Sequence, residues 1–211
     1  MITSLQSSLS IIRDFLSVIS SLLVFVIAYK GLQTWKKQLK GNTEYELARR
    51  LLKAVYKVRD SIKQYRFVIA NSGEISQALK EAGVEKEEFS TPEYHAKSQE
   101  ALYQLRWKKI ASSWEELQLE AFEAEVIWGQ VIKDKIGCLN SVIGSLQSYT
   151  SMYVRDLRKP VHLSPNEELY KKIQEALFDA DINPDQKNKF TEKIDASISD
   201  IEEIIRPHLR L

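Results

Sequence analysis

Residues 15–29, FLSVISSLLVFVIAY, carry no charge, and the next forty-one residues, 30–70, carry eleven Lys/Arg against three Asp/Glu, a net of +8. No other pairing of segments limits the chain so strongly. As a helix the uncharged run reaches about 22 Å, short of the roughly 30 Å hydrocarbon layer of a bilayer. Extension to Trp35 gives 21 residues and takes in Lys30, whose ammonium can snorkel toward an interface. Tyr29 and Trp35 suit an aromatic belt, and Lys36, Lys37 and Lys40 follow directly. A cleaved signal fits poorly, because no Lys or Arg precedes Arg13 and no A-x-A-like site follows the run. A buried core helix is the other alternative. The expectation is one membrane span, with Lys30, Trp35, Lys36 and Lys37 at the interface. Basic residues after the span place residues 36–211 in the cytoplasm and the protein in the inner membrane.

The polar residues upstream are regularly spaced. Thr3, Ser7, Ser10, Asp14, Ser17 and Ser21 stand 4, 3, 4, 3 and 4 apart. At about 100° per residue they fall within an arc of roughly 80°. Leu5, Leu9, Ile12, Leu16, Ile19, Leu23 and Val26 form the opposite face. Three readings stay open: a helix–helix contact made close by small side chains, a water-filled path between copies, or an amphipathic helix lying in an interface. The first is preferred, so the stripe is expected to join copies in a homo-oligomer; under the second it would line a pore.

The rest of the chain reads as helix. Leu47, Leu51, Val55, Val58, Ile62, Tyr65 and Ile69 keep a helical spacing. Thr43 with Glu46 looks like a capping box opening that helix, and Asn71–Gly73 like its stop. An acidic connector with a short helix follows. Thr91 caps a long helix with Pro92 at its first position, passing Leu102, Leu105, Trp114, Leu117 and Ile127 toward Lys135. Another runs from Ile136 to Arg158. Ser164-Pro165 and Asn183-Pro184 announce a fifth and a sixth, the last through Phe190, Ile194, Ile198, Ile201 and Ile205. The fold expected is therefore all-α: an N-terminal transmembrane helix, residues 1–40, followed by an elongated antiparallel helical bundle, residues 41–211.

Chemical motifs are scarce. The sequence holds no G-x-x-x-x-G-K-[ST], G-x-G-x-x-G, H-E-x-x-H or G-x-S-x-G. Three histidines, His95, His162 and His208, lie far apart, and the single cysteine, Cys138, can neither form an internal disulfide nor complete a Cys-rich zinc site. No metal and no cofactor is expected, and Cys138 is read as a small buried side chain. The exception is RDLRKPVH, in which Arg155 and His162 match the loose R-x(4–6)-H pattern of HEPN ribonucleases. There the histidine would act as general acid/base and the arginine would hold phosphate. The plain alternative is a basic helix C-terminus facing its own dipole.

The stretch TWKKQLKGNTEYELARRLLKAVYKVRDSI, Thr34 to Ile62, resembles a block found in small bacterial membrane proteins whose N-terminal span leads into a helical cytosolic domain. In layout the chain is similar to the membrane accessory proteins of type VI-B CRISPR systems. That resemblance implies an oligomeric, pore-like effector or accessory in antiviral defence. It implies the lipid bilayer, further copies and a cytosolic protein or RNA as partners, and Arg155 and His162 as the only match to the family's R…H motif. The functional expectation is a non-enzymatic oligomeric membrane effector. The alternatives are a membrane-tethered ribonuclease and a plain tether for a partner.

Overall fold

The computed structural model describes residues 2–84, 91–158, 167–179 and 188–209, with the backbone alone for residues 2–15, 18 and 92. Among the described residues six α-helices follow in order: α1 (Ile2–Tyr65), α2 (Ser72–Glu81), α3 (Pro92–Trp128), α4 (Gln130–Leu157), α5 (Glu167–Leu177) and α6 (Lys189–Ile205). A 3-10 turn, Arg206–Leu209, closes the series. The described residues contain no strand, so the fold is all-α. The chain divides into two compact units, Met1–Glu46 and Leu47–Arg210.

In the second unit the apolar faces expected from spacing are the buried ones. Leu47, Leu51, Val55, Val58, Ile62 and Tyr65 of α1 meet Ile110 and Leu117 of α3, Ile132, Leu139 and Leu146 of α4, and Phe190 to Ile205 of α6 in one core. Polar contacts give the directions. Glu100, early in α3, pairs with Arg158 just past α4, and Glu125, late in α3, pairs with Lys133 early in α4 at 2.8 Å, so the two helices are antiparallel. Lys57 with Glu116 and Arg50 with Glu120 (2.9 Å) run α1 antiparallel to α3. The turn between α3 and α4 is Gly129 alone, at φ 81° and ψ −168°.

Several expectations need correction. No capping box opens a helix at Thr43: α1 is continuous there, and the Thr43 hydroxyl donates to the Leu39 carbonyl, four residues back, at 3.0 Å. Asn71 does not stop α1, which ends at Tyr65. It caps α2 instead, its Oδ1 accepting from the Glu74 amide at 2.7 Å. Ile69, placed on the apolar face, lies beyond the helix and is 70% exposed. Cys138 is exposed, because the buried register of α4 passes through Ile136 and Leu139 on either side of it. Thr91 does cap α3, accepting from the Tyr94 amide at 3.2 Å. The Ser164-Pro165 and Asn183-Pro184 signals lie outside the described residues, as does Pro160.

The expected localisation is also overturned. Among the described residues no helix is long and apolar enough to cross a membrane. The run of α1 without charge is Phe15–Tyr29, bounded by Asp14 and Lys30. That is about 22 Å of helix against a hydrocarbon layer of roughly 30 Å. The single-pass inner-membrane placement is withdrawn on that ground.

Candidate functional site

The sequence-derived candidates are not brought together. Arg155 is exposed on the last turn of α4, and His162 lies outside the described residues, so no geometry joins the proposed catalytic pair. Of the stripe, Thr3, Ser7, Ser10 and Asp14 have no described side chains, while Ser17 and Ser21 are exposed. Ser21 donates its hydroxyl to the Ser17 carbonyl at 2.9 Å, and neighbouring Ser20 donates to the Leu16 carbonyl at 2.8 Å. These hydroxyl protons are satisfied within the helix. Lys30, Trp35, Lys36 and Lys37 are exposed. Among the described residues no group of three His, Cys, Asp or Glu could hold a metal ion.

The organised polar chemistry lies elsewhere, on two buried arginines. Arg106 of α3 is 5% exposed. Its Nε donates to Glu74 Oε1 at 2.8 Å and its Nη2 to Glu74 Oε2 at 2.9 Å, a two-point pair. Its Nη1 donates to the carbonyls of Tyr65 (3.3 Å) and Phe67 (2.6 Å), and Nη2 also reaches that of Ile69 (3.4 Å). One guanidinium thus gathers the end of α1, the segment after it and the first turn of α2. The Arg106 hydrogen bonds hold the Glu74 carboxyl below its ordinary range against the opposing effect of burial.

This clasp builds a cleft. With its carbonyls turned to Arg106, the segment after α1 leaves Phe67 and Ile69 59% and 70% exposed. Both line a cleft of about 850 Å³ together with Leu105, Lys63, Lys109 and Gln77. An adjoining hollow of about 580 Å³ shares Gln64, Leu105 and Lys109 and continues between α1 and α3.

Arg66, 1% exposed, performs a second junction. Its Nε donates to the Ala176 carbonyl at 2.7 Å and its Nη2 to that of Glu175 at 2.9 Å. Those carbonyls belong to the last turn of α5, where intrahelical partners run out and a cation is favoured. Nη1 meets Thr191 Oγ1 at 3.0 Å and Asp179 Oδ1 at 3.2 Å, and the guanidinium carbon sits 5.4 Å from the Phe190 ring centre. Burial pulls the Arg66 pKa down, and Asp179 opposes that shift.

Reading by motif missed both arginines. Their signal is a charge in the core register: Arg106 stands midway between Leu102 and Ile110, and Arg66 stands four after Ile62.

Comparison with known proteins adds no family. The chain matches no protein-family model, no curated protein and no solved structure. The resemblance of residues 34–62 therefore stands on those residues alone.

Proposed function

We propose that this protein is a non-catalytic helical accessory acting as a homo-oligomer, with copies joined through the first part of α1. One observation carries the reading. Twelve large apolar side chains between Leu16 and Leu39, among them Leu23, Phe25, Ile27 and Trp35, are each at least 39% exposed. Contiguous apolar surface on that scale marks an interaction site. Leu16, Ile19, Leu23 and Val26 are spaced 3, 4 and 3, and the sequence continues the alternation back through Ile12, Leu9 and Leu5. A strict 3.5-residue repeat of apolar positions is what helices use to pack along one another as coiled coils. On the opposite face Ser17 and Ser21 are small, and the Ser21 hydroxyl proton is already engaged, so that face also tolerates close approach by a further copy. The antiviral setting enters only through the similarity in layout to the accessory proteins of type VI-B CRISPR systems.

The test is the native mass of the full chain beside the same chain carrying Leu23→Gln and Val26→Gln, and beside a version beginning at Gly41. A homogeneous oligomer that falls apart in both altered forms supports the reading. A monomeric full chain, or an oligomer that survives both changes, overturns it.

A further inference from the structure

We propose that the cleft between the end of α1, α2 and α3 is a docking site for an acidic peptide segment with an apolar anchor, contributed by a protein partner. The inference does not depend on assembly through α1. It starts from a cost that the fold carries. Arg106 is buried to hold the carbonyls of Tyr65, Phe67 and Ile69, and burying a guanidinium is expensive unless its hydrogen bonds are met. The product is a fixed segment whose Phe67 and Ile69 both line the cleft and stay more than half exposed. Apolar side chains held in water by a rigid frame are poised to be covered.

Charge selects the occupant. Arg106 is neutralised by Glu74. In the adjoining hollow, Lys57 is paired with Glu116, Lys108 with Glu81, and the Asp60 carboxylate with Arg59. Lys63 and Lys109 line the cleft with no carboxylate at salt-bridge distance among the described residues. Lys109 Nζ reaches only the neutral Gln64 Oε1, at 3.5 Å. Lys63, Arg106 and Lys109 line the cleft against the one carboxylate of Glu74, so it offers a surplus of two positive charges around Phe67, Ile69 and Leu105. The complement is a segment with carboxylates flanking an aliphatic or aromatic side chain. Its continuation into the hollow beside Lys109 and Gln64 favours an extended chain over a compact small molecule.

The experiment probes a randomised peptide array with the full-length protein and measures the strongest binder by fluorescence anisotropy. The expected result is enrichment of Asp and Glu beside Leu, Ile, Phe or Trp. Affinity should drop about tenfold or more when Lys63→Glu and Lys109→Glu are combined, and similarly for Phe67→Ser with Ile69→Ser. All four positions are exposed, so these variants keep the fold, which circular dichroism checks. An array with no acidic enrichment overturns the proposal, as does binding indifferent to both double variants. Binding of a single-stranded RNA oligonucleotide through the same lysines, without peptide binding, also overturns it.

Discussion

The guanidinium of Arg106 faces the carboxylate of Glu74 edge to edge, with its Nε and Nη2 donating to separate oxygens at 2.8 and 2.9 Å. The pair lies on α3 and on the first turn of α2, so it fixes α2 against the long helix. It also leaves the rest of the guanidinium for the carbonyls between Tyr65 and Ile69. Arg106→Met should lower stability by about 3–5 kcal/mol, because it strands Glu74 and several carbonyls together. Urea unfolding measures this; a loss below about 1 kcal/mol would mean that water replaces the clasp freely.

The same pair gives a pH signature. The folded-state pKa of Glu74 is depressed from 4.5, chiefly by its hydrogen bond to Arg106. A depressed carboxyl stabilises above its unfolded pKa, and that contribution fades as pH falls through the lower folded value. The stability gap between the natural chain and Glu74→Gln should therefore be constant near neutrality and narrow below pH 4.5. Unfolding free energies measured across that range, with a gap that does not narrow, would contradict the assignment.

Arg66 is expected to be the more local device. Its contacts with the Glu175 and Ala176 carbonyls close the last turn of α5. Arg66→Lys keeps the charge but cannot distribute donors over both carbonyls and Thr191 Oγ1. Hydrogen exchange in Arg66→Lys should accelerate first at the amides of α5 and around Asp179, whose own amide donates to the Arg66 carbonyl at 3.3 Å. Uniform acceleration through α3 and α4 would instead make Arg66 part of the global core.

The sequence made the amphipathic helices legible because their information is local. Leu47 to Tyr65, Ile132 to Val154 and Phe190 to Ile205 each repeat at helical spacing, and each is buried. The beginning of the second unit's helix was not legible. Gly41, Asn42 and Thr43 resemble a break, yet Gly within a helix costs only about 1 kcal/mol, which α1 absorbs. Nor was the cleft legible, since it depends on Arg106 reaching Glu74, thirty-two residues away. Motif matching favoured Arg155 with His162 because they are near in sequence, whereas the arginines with organised partners bridge distant elements.

Tyr65 reports on the core where α1, α3 and α4 meet. Its hydroxyl lies 2.6 Å from Thr150 Oγ1, and Thr150 in turn donates to the Leu146 carbonyl at 2.9 Å. The single proton of Thr150 is thus engaged, which makes Tyr65 the donor. Burial raises the Tyr65 pKa from 10.0 to about 12 and raises that of Tyr103 as well. An acid whose folded pKa is raised stabilises the fold below its unfolded value and loses that contribution as pH climbs toward the folded one. Stability should accordingly decline between pH 10 and about 12. Tyr65→Phe should cost only about 1 kcal/mol at neutral pH, since Thr150 keeps its backbone partner. Thr150→Val, which leaves a buried phenol unpaired, should cost more. The reverse order in thermal or urea unfolding would assign the donor wrongly.

Glycines supply a matched pair of opposite expectations. Gly129 links α3 to α4 at φ 81° and ψ −168°, with nothing within 4 Å of where a Cβ would stand. A substitution there meets no neighbour, so its whole effect is backbone strain, and that region of conformational space belongs almost wholly to glycine. Gly129→Ala should destabilise by about 1–3 kcal/mol. Gly144 lies inside α4, exposed, with equally open space around its Cβ position. There the helical backbone suits alanine, and Gly144→Ala should stabilise by about 0.5–1 kcal/mol by removing freedom from the unfolded chain. Urea midpoints of the two variants should therefore move in opposite directions from that of the natural chain. If Gly129→Ala were neutral, the turn between α3 and α4 would have to adopt another backbone conformation than the one found here.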